Sequence, residues 1–291
     1  MIKQLTENVY YMPHDDTTDR PTLGLVCGSK YSMIIDSGNS PKHAEEFLLE
    51  IKSMAIPPVK YLVITHHHWD HIFGIKEMDY ITITSQATEK NIEEMRLLKW
   101  DNQSLDEYVR SGRFNDFTVK CIKEEIPNRE DFEIGELDII YQEKITIDLG
   151  NLKCIVDLIG GSHTDDSAIV YIPKEKVLFL GDCIYGRRYH GVYGYKKDNL
   201  LPMIDRVEKY PAEHYMMSHM DHYDKSQMNK LWKELRLAER IVGNETSIDK
   251  SIDRYSSEVG STPSEDMIFY IKCFAEVNKI FFKKQGDIIT K

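Results

Sequence analysis

Apolar and polar positions divide the chain into short strands and amphipathic helices. Residues 22–27 (TLGLVC) and 31–35 (YSMII) are apolar runs of strand length, joined by a Gly-Ser-Lys turn. A helix is predicted next: Ser40 suits an N-cap, Pro41 suits the first helical position, and Ala44, Phe47, Leu48 and Ile51 recur at i, i+3, i+4 and i+7. Pro57-Pro58 stops it, and the continuous apolar run 59–64 (VKYLVI) reads as a buried strand. Strand, helix and strand at this spacing predict a βαβ unit.

Further along, 80–84 reads as a strand. Residues 86–111 read as one amphipathic helix, with Ile92, Met95, Leu98, Leu105 and Tyr108 on its apolar stripe, and form a candidate lid. The stretch 118–149 is expected to be β-rich. Strands follow at 152–159, 167–172, 176–180 and 214–218, with helices at 200–209, 224–243 and 264–283. The polar stretch 244–262 reads as a linker. The pattern predicts one α/β domain over 1–243, with an insertion at about 85–150, and a C-terminal linker and helical extension over 244–291.

Composition narrows the function. Asp and Glu number 48 against 37 Lys and Arg, a formal net charge of −11. With no basic block, neither nucleic acid nor an anionic membrane is expected as a partner. No apolar segment is long enough to span a bilayer, and the N-terminus lacks the apolar core of a signal peptide. Five scattered cysteines without a CxxC pair suggest reduced thiols, so a cytoplasmic setting is expected.

The chemistry concentrates in residues 65–74, THHHWDHIFG, where four histidines and an aspartate occupy six positions after the strand at 59–64. In extended backbone, His66 and His68 point to one side and His67 to the other. His67 is therefore expected to be a bystander, and Trp69 to pack beneath the loop. Asp70 and His71 add an oxygen and a nitrogen close by. Imidazole with carboxylate suits Zn²⁺, and also Fe or Mn. His163, Asp182 and His219 each follow a different predicted strand, where open α/β sheets place their sites. No GxSxG elbow is present.

Together, the HxHxDH run, His163 in GSHTDD, Asp182 in LGDC, His219 in MSHMDH and Asp36 in IIDSG resemble the signature of the metallo-β-lactamase fold superfamily. The resemblance spans about residues 5–225, and the GD form at Asp182 favours the glyoxalase II and lactonase-like branch. It implies a four-layered αββα sandwich carrying a helical insertion and a C-terminal helical extension. It also implies two divalent ions, zinc first, on one edge of that sandwich. His66, His68 and His163 would hold one ion, Asp70, His71 and His219 the other, and Asp182 would bridge them. Asp36 would hold the loop or a ligand in place. Asp70 would orient the nucleophile and shuttle a proton, and Tyr185 would hold a substrate carbonyl oxygen. Cys183 is read as a small buried residue and not a ligand.

The implied activity is hydrolysis of an ester, thioester, lactone or lactam bond in a small molecule by a bridging hydroxide. A phosphodiesterase and a mononuclear-iron persulfide dioxygenase stay as alternatives of the same fold. A metal-binding protein without catalysis is the last.

Overall fold

The computed structural model describes residues 1–289, with side chains as far as Phe281; the last two residues of the expected 244–291 extension lie outside the described residues. The chain divides into two compact units. The first comprises residues 1–159, 165–182 and 210–223, and the second residues 160–164, 183–209 and 224–291.

In the first unit, seven strands form one sheet in chain order: β1 (Lys3–Gln4), β2 (Val9–Met12), β3 (Leu23–Cys27), β4 (Ser32–Ile35), β5 (Val59–Val63), β6 (Ile81–Ser85) and β7 (Ile139–Tyr141). Strands β1–β4 pair antiparallel, whereas β4, β5, β6 and β7 pair in parallel. A second sheet is built from β8 (Lys144–Asp148), β9 (Lys153–Leu158), β10 (Ala168–Ile172), β11 (Val177–Gly181), β14 (His214–Met217) and the short β15 (Tyr223–Asp224). Here β11 and β14 run parallel.

The strand at 59–64 is a near-continuous apolar run because both faces are covered. Leu62 joins Leu25 and Ile34 under the helices, and Val63 joins Val26, Met33 and Ile35 between the sheets. Val156, Val170, Ile172 and Phe179 complete that inter-sheet layer. Helix α1 (Pro41–Lys52) buries Ala44, Phe47 and Ile51, as its spacing predicts, and Ser40 caps it by accepting from the His43 amide at 3.1 Å.

The expected single helix over 86–111 is two. Helix α3 (Gln86–Arg96) stops before Trp100, which turns into the core beside Phe73 at 4.8 Å. Asp101 then caps α4 (Asn102–Arg110) by accepting from the Ser104 amide. The β-rich expectation for 118–149 holds only for β7 and β8. Residues Asp116–Glu125 form helix α5, capped by Asn115. Its β-branched residues favour a strand locally, but Val119 and Ile122 at i, i+3 complete the core over the first sheet, and tertiary packing overrides propensity.

The second unit holds a hairpin of β12 (Arg187–Tyr189) and β13 (Val192–Gly194), with left-handed His190 and Gly191 at its tip. It also holds α6 (Lys197–Val207), α7 (Lys225–Val242), α8 (Ile248–Val259) and α9 (Glu265–Ile289). Helix α6 starts three residues earlier than predicted. The expected linker contains α8, capped by Ser247 and closed by left-handed Gly260. Ile248, Ile252, Tyr255 and Val259 of α8 recur at helical spacing, but only Ser251 and Tyr255 are buried. No helix among the described residues is long and apolar enough to cross a membrane.

Candidate metal centre

In the first unit the candidate donors leave the carboxyl ends of strands, as open sheets dictate. His66 and His68 lie in the loop after β5, and one-turn helix α2 (Trp69–Ile72) carries Asp70 and His71. Asp182 directly follows β11, and His219 lies just past β14. Two donor groups result. Ligand atoms of His66, His68 and Asp182 lie within 4.8 Å of one another, and so do those of Asp70, His71, Asp182 and His219.

Asp182 reaches toward both groups. Its Oδ2 is 3.8 Å from His66 Nε2 and 3.6 Å from His219 Nε2, while its Oδ1 is 3.5 Å from His71 Nε2. Asp70 Oδ2 lies 3.1 Å from Nε2 of both His71 and His219. His71 Nε2 is buried, and no hydrogen bond of good geometry satisfies it. Buried imidazole and carboxylate donors converging in this way fit a divalent cation.

The surroundings set which ring nitrogen is offered. Asp36, 2 % exposed, accepts from the Thr65 amide at 2.8 Å and the Thr65 hydroxyl at 2.9 Å, and pairs with His71 Nδ1 at 2.8 Å. Thr65 Oγ1 lies 3.1 Å from His66 Nδ1. Both Nε2 atoms are thereby turned to the carboxylates, the arrangement by which a supporting carboxylate fixes a ligating histidine.

Charge is concentrated as well. Burial opposes ionisation of His71, but the carboxylates of Asp70, Asp36 and Asp182 outweigh it and hold the ring well above the usual imidazole range. His219 is likewise raised to about 9 against its burial, by Asp182, Asp70 and Asp19. Asp70 is held well below the carboxylate range, because the charges of His71 and His219 overcome its burial.

Gly74 closes the motif. A Cβ there would meet the Ser37 carbonyl oxygen at 2.1 Å and Ala44 Cβ at 2.7 Å. The missing side chain lets the end of the histidine loop press against the turn that carries Asp36. Gly74→Ala is expected to cost about 1–3 kcal/mol by overpacking, read as a lower urea midpoint at unchanged slope.

His67 is not a bystander. Its Nδ1 lies 3.0 Å from both carboxylate oxygens of Asp166 and its amide donates to Oδ2 at 3.1 Å, while Asn91 of α3 approaches the same ring at 3.3 Å. It joins neither donor group, but it latches the loop to residues far along the chain. Trp69 is buried against Phe73, and Cys183 is fully buried. His214 and His222 pair with each other at 3.0 Å.

Sequence reasoning passed over Asp19. Its Oδ1 lies 3.7 Å from His219 Nδ1, and burial together with the charge of Asp70 raises it to about 7. Neighbouring carboxylates are common in an acidic chain, and no motif marks this one.

In the second unit, His163 Nδ1 lies 3.0 Å from the Gly186 carbonyl oxygen, and its ring faces Tyr185 at 6.2 Å. Tyr193 of the hairpin holds the same peptide, accepting from the Gly186 amide at 2.7 Å. His163 therefore keeps Nε2 as its second ring nitrogen.

Comparison with known proteins identifies the family. The family model "Metallo-beta-lactamase superfamily" matches residues 17–219. Hydroxyacylglutathione hydrolase from Francisella philomiragia is 25% identical over 206 residues, covering 68% of this chain and 64% of that protein. The beta-lactamase-like protein 2 homolog of Caenorhabditis elegans is 27% identical over 168 residues, 57% of this chain and 44% of that protein. The chain thus spans less than two thirds of the length of these curated relatives. Among solved structures, a metallo-beta-lactamase from Pontibacter korlensis matches with a TM-score of 0.54 and 20% identity, over 80% of this chain and 97% of that one. The sec-alkylsulfatase Pisa1 from Pseudomonas sp. matches with 0.61 and 13%, over 91% of this chain and 46% of that one. The expected αββα class, with its helical insertion and C-terminal helices, is borne out by these matches together with the elements described above. The chain belongs to the metallo-β-lactamase superfamily.

Proposed function

We propose that the protein is a two-ion metallo-hydrolase that cleaves an ester, thioester, lactone or lactam bond in a small molecule. The position of Asp182 carries this reading: one carboxylate lies within 3.5–3.8 Å of nitrogens in both donor groups. His66, His68 and His163 are assigned to the first ion, and Asp70, His71 and His219 to the second, with Asp182 between them. The relative named hydroxyacylglutathione hydrolase supports an acyl substrate.

Two bound divalent ions, zinc in the first instance and Fe or Mn as substitutes, would supply hydroxide near neutral pH and polarise the scissile carbonyl. Asp70, held ionised by His71 and His219, is suited to orient the attacking water and to carry its proton to the leaving group. Asp36 and Thr65 keep His71 and His66 in the tautomer that offers Nε2. The Tyr185 hydroxyl, beside His163, is assigned to the carbonyl oxygen of the substrate. None of the five buried cysteines forms a disulfide among the described residues, which supports a reducing setting.

Metal uptake should release protons. His219, raised to about 9, is held charged at pH 7.5, and His71 is shifted in the same direction, yet a ligating imidazole must be neutral. About one proton is expected per protein from His219, any held by His71 adding to it, and apparent affinity should rise with pH at least until the pH passes about 9, where His219 is already neutral. Calorimetry in buffers of different ionisation enthalpy counts them, and no release would remove these histidines from the centre.

Turnover by metal-loaded protein on lactone, thioester, β-lactam and phosphodiester panels tests the activity. Hydrolysis confined to phosphodiesters, or oxygen uptake with a persulfide, would overturn the acyl reading. Identical behaviour of the wild type and Asp70→Ala would identify a protein that binds metal without catalysis.

A further inference from the structure

We propose that Asp19 is a positioning residue for the second ion, its carboxylate taking the Nδ1–H of His219, and that helix α5 serves to present it. The inference rests on assigning Asp70, His71, Asp182 and His219 to one ion.

Three of the other assigned histidines set the pattern. Nδ1 is occupied by Thr65 Oγ1 at 3.1 Å in His66, by Asp36 at 2.8 Å in His71 and by the Gly186 carbonyl at 3.0 Å in His163. Each leaves Nε2 as the ligating atom. In His219, Nε2 lies 3.1 Å from Asp70 and 3.6 Å from Asp182, and Asp19 Oδ1 lies 3.7 Å from Nδ1. A closure of about 1 Å turns that ion pair into a charge-assisted hydrogen bond.

Asp19 is held there by a built support. Its φ of 60° is left-handed, uncommon outside glycine though aspartate tolerates it, and the residues on either side are tied down. Thr18 Oγ1 donates to Glu125 of α5, and the Thr18 carbonyl accepts from Asn39 at 2.7 Å. Arg20 donates to Glu125 at 2.7 and 2.9 Å and to Glu46 of α1 at 2.6 Å. The Arg20 and Glu125 side chains are 15% and 6% exposed.

A buried ion pair adds little net stability, because desolvation offsets its attraction, so geometry is what this one supplies. The far end of the loop is tied to the ligand itself, since the Thr22 amide donates at 2.7 Å to the carbonyl of Ser218, the residue before His219. The loop over residues 15–22 is thus anchored both to the helices and to the segment it supports. This gives part of the insertion over 85–150 a role at the centre, although it contributes no assigned ligand.

The test is a stepwise Co²⁺ titration of apoprotein, followed by absorption, on the wild type, Asp19→Asn and Asp19→Gly. Asparagine keeps the shape and tolerates left-handed backbone, while glycine relieves the strain and removes the group. The wild type is expected to take up two equivalents. Both variants are expected to bind one of them about 10–100-fold more weakly, leave the other unchanged and melt within a few degrees of the wild type. The Nδ1 proton resonance of His219 in the Zn²⁺-loaded protein should move upfield in Asp19→Asn. Unchanged affinity for both equivalents, equal weakening of both, or an unmoved resonance would each overturn the assignment. A wild type that takes no second equivalent would overturn the two-ion reading itself, and this inference with it.

Discussion

Asp182→Ala is expected to abolish turnover to within a small residue of the wild-type rate. The wild-type carboxylate lies between nitrogens of both donor groups, with Oδ2 toward His66 and His219 and Oδ1 toward His71. Alanine leaves each proposed ion short of an oxygen ligand and removes the charge that offsets two dications. Loss of several kcal/mol of transition-state stabilisation corresponds to a fall in kcat/KM on the order of 10³-fold or more. Metal analysis after dialysis should show fewer than two ions per chain. A variant that keeps both ions and near-normal kcat/KM would show that the bridge is not at Asp182.

Asp36→Asn is expected to damage stability and metal binding together. The wild-type carboxylate meets the Thr65 amide, the Thr65 hydroxyl and the His71 ring, all within 2.9 Å. Its φ of 61° is one that asparagine tolerates, so the backbone does not object. The amide nitrogen, however, must face one of the three donors. A buried donor left unpaired costs about 1–3 kcal/mol, more where charge is involved. Denaturation with urea measures that loss. Release of the His71 ring should weaken one ion about 10–100-fold by competition with a chelator. Full stability with weakened metal would restrict Asp36 to the ligand, and the reverse would restrict it to the fold.

Much of the metal centre was legible because its determinants are local. A ligand must be an imidazole or a carboxylate, and it must follow a strand. Both facts are written in short stretches such as HHHWDH and LGDC. Helix α1 was legible for the same reason, as cap, proline and apolar spacing lie within twelve residues. Helix α5 was not, because its β-branched face becomes helical only against a core assembled from distant segments. Helix α8 was passed over although Ile248, Ile252, Tyr255 and Val259 recur at helical spacing, because the polar residues between them dominate the stretch.

The supporting residues were the least legible. His67 looked idle because its partner Asp166 lies 99 positions away. Asp19 looked like one acid among many because nothing in DDTTDRP points to His219, and Glu125, which holds its neighbours, lies more than 100 positions on. The sequence alone determined the chemistry of the donors and the class of fold, since residue type and hydrophobic period are properties of single segments. Tertiary structure alone decided which ring nitrogens of His66, His67, His71 and His163 are paired and with what, because a hydrogen bond is set by distance in space and leaves no period in the chain.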